Sequence, residues 1–165
     1  MGLTVVGVLR LSGTAFVPSH APIRKRLLVH DDGISYHFAS NHHELNELNY
    51  GLGASYCLGE FRSESAILNG IRLSAEADLY SDSFSETGYL FGTSFERHMF
   101  KELDWGVGLG LIHEDNLKRK SGFYLFPYVF PYLQTAFRTR VNVRIQFVPP
   151  VHNGGIVTLQ LIVAP

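Results

Sequence analysis

From Ile34 onward the chain alternates. In Ile71–Tyr80 the apolar residues are Ile71, Leu73, Ala75, Ala77 and Leu79, with Arg72, Ser74, Glu76 and Asp78 between them. Leu103, Trp105, Val107, Leu109 and Leu111 repeat the pattern against Gly106, Gly108 and Gly110. Val141, Val143, Ile145 and Phe147 repeat it against Asn142, Arg144 and Gln146. A helix, with about 3.6 residues per turn, would scatter these sets around its circumference, whereas a strand places alternate residues on opposite faces. Eight strands are expected, at about 33–38, 49–59, 70–80, 88–98, 103–113, 122–136, 140–149 and 155–163. An even number of antiparallel strands can close and abolish both sheet edges. The expected fold class is therefore all-β, an eight-stranded antiparallel up-and-down barrel.

Which face looks outward decides the solvent. A soluble barrel buries its large apolar side chains, and a membrane barrel shows them to lipid. Gly51, Gly53 and Gly59 share a face with Ser55 and Cys57, opposite Tyr50, Leu52, Ala54, Tyr56 and Leu58. A core built from such glycines would be badly filled, because protein interiors are close-packed. The large apolar set is therefore expected to face lipid and the glycines to line a hollow. Glycine serving strand curvature alone is the plainer alternative. Composition agrees. At 45% hydrophobic, 18% charged and net charge −1, the chain is too apolar for disorder and too neutral to bind nucleic acid through bulk charge. It has no apolar run long enough for a spanning helix, which leaves a spanning barrel open. The single cysteine, Cys57, excludes an internal disulfide.

One expected strand carries Pro127 and Pro131, and Pro149-Pro150 closes the next. Proline cannot donate to a ladder, so two in one apolar strand imply a break in the hydrogen-bonded wall. In lipid such a break is costly unless it gives access.

If strands run alternately up and down, His37 and the pair Asp82-Ser83 end at one rim. Histidine as base, serine as hydroxyl and aspartate as orienting group would suit acyl transfer, although Ser and Asp are also ordinary loop residues. His42-His43 with Glu44 has the composition of a metal site. Adjacent histidines point apart, however, and no second pair follows at ligand spacing, so neither metal nor cofactor is expected. His30, His98, His113 and His152 read as scattered surface or rim residues.

Residues 1–29 read as an N-terminal segment and 30–165 as the barrel domain. Leu3–Leu11 and the small residues near Ser19-His20-Ala21 resemble a secretory signal. There is no basic leader, Arg10 interrupts the apolar stretch, and Pro22 would follow the cut. A signal and a mis-set start are both open. The cluster Arg24-Lys25-Arg26 is either solvated or a contact with anionic lipid.

Several segments together resemble the outer-membrane lipid A palmitoyltransferases, the PagP family. His37 stands in Ile34-Ser35-Tyr36-His37-Phe38, much as the family's essential histidine ends its first strand. The stretch from Leu45 to Gly53, LNELNYGLG, is similar to the family's Tyr-Asn-Glu-Arg-Pro-Trp-Gly-Gly-Gly. Leu79–Phe84 resembles the surroundings of its Asp-Ser pair, and Leu109-Gly110-Leu111 its next glycine-rich strand. Phe126–Tyr132, FPYVFPY, is similar to its Leu-Pro-Val-Leu-Leu-Pro-Leu. Phe147–Gly155 resembles the turn before its last strand. The matches keep their order over 34–163. Leu45 and Leu48 depart from the family's Tyr and Arg, its early amphipathic helix is not evident, and the end Leu161–Pro165 lacks a terminal aromatic.

The resemblance implies a monomeric outer-membrane barrel with a hydrocarbon-lined interior. It implies transfer of a palmitoyl chain from a phospholipid donor to a lipid A acceptor, with His37, Asp82 and Ser83 as catalytic residues. It implies lateral lipid access beside Pro127, Pro131 and Pro149. Ser94 falls where the family has a small glycine at the floor of the acyl pocket, which implies a shorter preferred chain. At about 0.8 kcal/mol per buried CH₂, a pocket floor can select length. No nucleic-acid partner is expected. The alternatives are a lipocalin-like carrier of a hydrophobic ligand and a structural outer-membrane barrel without catalysis.

Overall fold

The computed structural model describes residues 10–11, 13–22, 26–38, 47–135, 140–149 and 155–165. Among them are ten strands: β1 (Arg10–Leu11), β2 (Thr14–Pro18), β3 (Leu27–His37), β4 (Leu48–Ser63), β5 (Arg72–Ser81), β6 (Thr87–Phe100), β7 (Leu103–Glu114), β8 (Phe126–Thr135), β9 (Val141–Val148) and β10 (Ile156–Val163). One short helix, α1 (Asp115–Ser121), follows β7. No described helix is long and apolar enough to cross a membrane.

Strands β3 to β10 each pair antiparallel with their sequence neighbour, and β10 returns to β3. The result is a closed eight-stranded barrel. The expected strands match β3 to β10, with three differences, the first being that β4 runs on to Ser63 past the expected end at 59. β3 begins at Leu27, because its first half mixes the inward His30 with the outward Asp31 and so blurs the alternation. The last strand before β9 begins at Phe126 and not at 122, because residues 122–125 form the exit from α1. The helix is capped by Gly122 in the left-handed region at φ 78, a conformation glycine adopts without strain.

Part of the segment expected to lie outside the barrel extends it. β2 pairs with Gly59–Ser63 of β4, continuing the row that β3 occupies higher on the same strand, and β1 pairs with β2.

The large apolar residues point outward, as the glycine argument requires. Tyr50 is 70% exposed and Leu52 66%, and Leu79, Trp105, Val129 and Ile145 share that outer face. The inner face carries His30, Ser55, Glu76, Asp78, Asp104, Gln134 and Arg144, all buried. This inside-out pattern is that of a membrane-type barrel. An aqueous surface would reverse it.

The glycines do not simply line a hollow. Methyl groups added at Gly53 and Gly106 would come within 1.5 Å of the Asp78 carboxylate and 2.3 Å of the Tyr132 ring. These positions make room for inward side chains that fill the lower lumen. Arg144 donates from Nη1 to Glu76 Oε1 at 3.2 Å and from Nε to Gln134 Oε1 at 2.9 Å, with its guanidinium 4.2 Å from the Tyr132 ring centre. Arg72 closes the lower end by pairing with Glu96 and Asp104, and Asp104 also meets His98 Nδ1 at 2.7 Å. Buried charges are tolerated when paired and hydrogen-bonded in this way. The open space is left to the upper half.

Candidate functional site

The upper half holds a cavity of about 630 Å³. Leu90, Ile112, Phe126 and Phe130 form one wall, with the Tyr128 ring stacked on Phe130 at 4.6 Å. A methyl group at Gly92 would come within 2.6 Å of the Tyr128 hydroxyl, so the ring reaches over β7 to β6. Ser94, expected at the floor, does not line the cavity. It is 2% exposed and sits opposite Gly108, two residues below Gly92 on β6.

His37, Asp82 and Ser83 all line the cavity mouth. The up-and-down topology brings the ends of β3 and β5 together, and Ser83 Oγ lies 2.8 Å from His37 Nε2. Ser35 Oγ is 3.4 Å from the same nitrogen, a neighbour that the sequence did not single out. Asp82 does not touch the imidazole. Its Oδ1 accepts the N–H groups of Phe84 and Glu86, both at 2.8 Å, while its backbone N–H donates to Glu86 O at 2.7 Å. Its Oδ2 is buried without a partner. The expected orienting role is thus replaced by bracing of the turn that presents Ser83. That turn needs bracing, since Ser85 adopts φ 62, a left-handed conformation uncommon outside glycine.

A complete Asp–His–Ser relay exists elsewhere. His30 Nδ1 is 2.9 Å from Asp78 Oδ1, and His30 Nε2 is 3.0 Å from Ser55 Oγ. His30 is 0% exposed, not the surface residue the sequence suggested, and none of the three lines the cavity. With no space for a substrate, the geometry cross-links β3, β4 and β5. His113 is also buried, at 8%, stacked between Tyr89 and Tyr124, whereas His98 is exposed as expected. His42, His43, Glu44 and His152 lie outside the described residues, among which no group of three or more ligands suits a metal.

The wall opens beside the cavity. Among the described residues, β8 and β9 pair only at Tyr132–Gln146, Leu133–Ile145 and Gln134–Arg144. Above that point the strands separate, and the outward-facing Pro127 and Val129 join Val148 and Pro149 in lining the cavity. The ladder to β7 continues past Pro127 and Pro131. The N–H groups that proline lacks are therefore missing from the edge facing β9, which lowers the number of donors left unpaired in lipid. α1 borders the mouth through Asn116 and Leu117. It is held to the serine-bearing turn by Arg119, whose Nη1 and Nη2 each donate to Glu86 at 2.7 Å. That hydrogen bonding pushes the Arg119 guanidinium still further above its ordinary range.

No known protein family and no curated protein matches the sequence. Among solved structures, the solution NMR structure of the de novo designed TMB2.3 is similar. It has a TM-score of 0.54 and 13% identity, over 85% of this chain and 94% of that chain. At that identity the likeness is one of fold alone.

Proposed function

We propose that this chain is a phospholipid:lipid A acyltransferase of the outer membrane, a divergent member of the PagP family. One observation carries the reading. A hydrogen-bonded His37–Ser83 pair stands at the mouth of an apolar-walled cavity that opens sideways between β8 and β9. A lipid can enter a chamber of this kind with its acyl chain buried and its ester at the rim.

In the simplest course, His37 Nε2 accepts the proton of Ser83 as Oγ attacks the phospholipid ester carbonyl. The bond to the glycerol oxygen breaks, and that oxygen takes the proton to give a lysophospholipid. A lipid A hydroxyl, deprotonated by the same imidazole, then takes the acyl group and restores Ser83. In direct transfer His37 activates the lipid A hydroxyl alone, with Ser83 only hydrogen-bonding. Asp82 serves either course by fixing the turn. A general base contributes about 10²–10⁴-fold.

The test is expression in a host that lacks this acylation, with lipid A read by mass spectrometry. The added acyl chain should appear with the wild-type chain and fall at least a hundredfold in His37→Ala. If a folded, membrane-inserted wild type adds nothing, the reading fails. The orientation of Asp82 favours a second reading, a barrel that binds a hydrophobic ligand without catalysis, and that outcome would select it.

A further inference from the structure

We infer that the chamber is built for an acyl chain carrying a hydroxyl near its carboxyl end, recognised by Gln146 and Thr158. The inference rests on the chamber holding an acyl chain as proposed above. Gln146 on β9 and Thr158 on β10 are cross-strand partners, both half-buried, and both line the cavity. Neither side chain has a hydrogen-bond partner among the described residues. They share the cavity with the apolar side chains of Leu90, Ile112, Phe126 and Phe130.

Their position matters as much as their chemistry. Ile156 is the register partner of His37, and Thr158 lies two residues further along β10, about 7 Å down the strand. Gln146 is the uppermost β9 residue still paired with β8, and so forms the lower corner of the lateral gap. Thr158 is the register partner of Ser35, whose Oγ lies 3.4 Å from the same His37 nitrogen that meets Ser83, so a chain with its carbonyl at Ser83 meets this level of the barrel within its first carbons. A carboxamide and a hydroxyl can together donate to and accept from a single chain hydroxyl. A plain polymethylene chain would displace water from both and leave them unpaired, a state that sites built for a hydroxyl discriminate against strongly.

The experiment uses the full chain in detergent micelles, with competitive binding of fatty acids read by native mass spectrometry. The probes are hexadecanoic acid, 3-hydroxyhexadecanoic acid and 16-hydroxyhexadecanoic acid. The 3-hydroxy acid should bind at least tenfold tighter than the plain acid, and the 16-hydroxy acid should gain nothing. In Gln146→Leu/Thr158→Val the advantage should shrink to within twofold of unity while the plain acid binds no worse. The near-isosteric Thr158→Val alone should remove part of it, should the double variant not fold. Equal binding of the plain and 3-hydroxy acids, an equal gain from the 16-hydroxy acid, or no binding of any acid would overturn the inference. Phosphatidylethanolamine donors bearing the same chains separate it from the parent reading. Transfer to lipid A without hydroxyl preference sinks only the inference, and hydroxyl preference in binding without any transfer sinks only the catalysis.

Discussion

Whether an aspartate beside a serine and a histidine acts as a relay depends on where its oxygens point. Asp82 turns Oδ1 to two N–H groups of its own loop. An amide keeps that acceptor, so Asp82→Asn should retain activity within about tenfold, and Asp82→Ala should lose more by loosening the turn. A relay aspartate would instead lose about 10⁴-fold on conversion to the amide. Lipid A acylation rates for the two variants decide between these roles. His37 and Ser83 were legible in the sequence because a strand end and a turn on the same rim follow from topology. The direction of a carboxylate within a turn does not. Nor could alternation alone say which polar residues lay inside. Once the outer face is known to be apolar, His30, Glu76 and Arg144 must face the lumen, and their pairing follows from the cost of burying a lone charge. Glu76→Gln takes from the Arg144 guanidinium, itself deeply buried, the carboxylate it pairs with directly. It should destabilise the folded barrel by about 3–5 kcal/mol, read from urea unfolding in vesicles by the fluorescence of the single tryptophan, Trp105.

Among the elements, β8 has the clearest sequence signal and the clearest consequence. Two prolines four residues apart leave one edge short of donors, and the wall parts on that edge. Pro127→Val/Pro131→Val restores two N–H groups. The β8–β9 ladder should then lengthen, the urea midpoint should rise, and transfer of a chain from phospholipid vesicles should slow severalfold. Unchanged transfer together with a raised midpoint would mean that lipids enter elsewhere. Other elements left weaker traces. α1 is seven residues, Asp115-Asn-Leu-Lys-Arg-Lys-Ser121, with no apolar stripe to distinguish it from a loop. β2 is five residues ending in proline, and its pairing depends on β4 running on past the end of β3. That is a property of the partner strand and cannot be read from the short segment itself.

At the scale of the whole molecule, the barrel is two storeys with one wall. The upper storey is open to one side, and the lower is filled by Tyr132, the Arg144–Glu76 pair and the Arg72 cluster. Eight strands enclose a space that side chains can just fill, and here the glycines govern where it is filled. A tube through a membrane is ordinarily a leak, and a leak would dissipate whatever gradient that membrane maintains. The filled storey removes the hazard. Reconstituted in a planar bilayer, the protein should carry no steady ionic current at 100 mV or so, whereas Arg144→Ala/Tyr132→Ala should admit brief conducting events. A membrane can therefore host a chamber that opens to one side and still hold its ions apart.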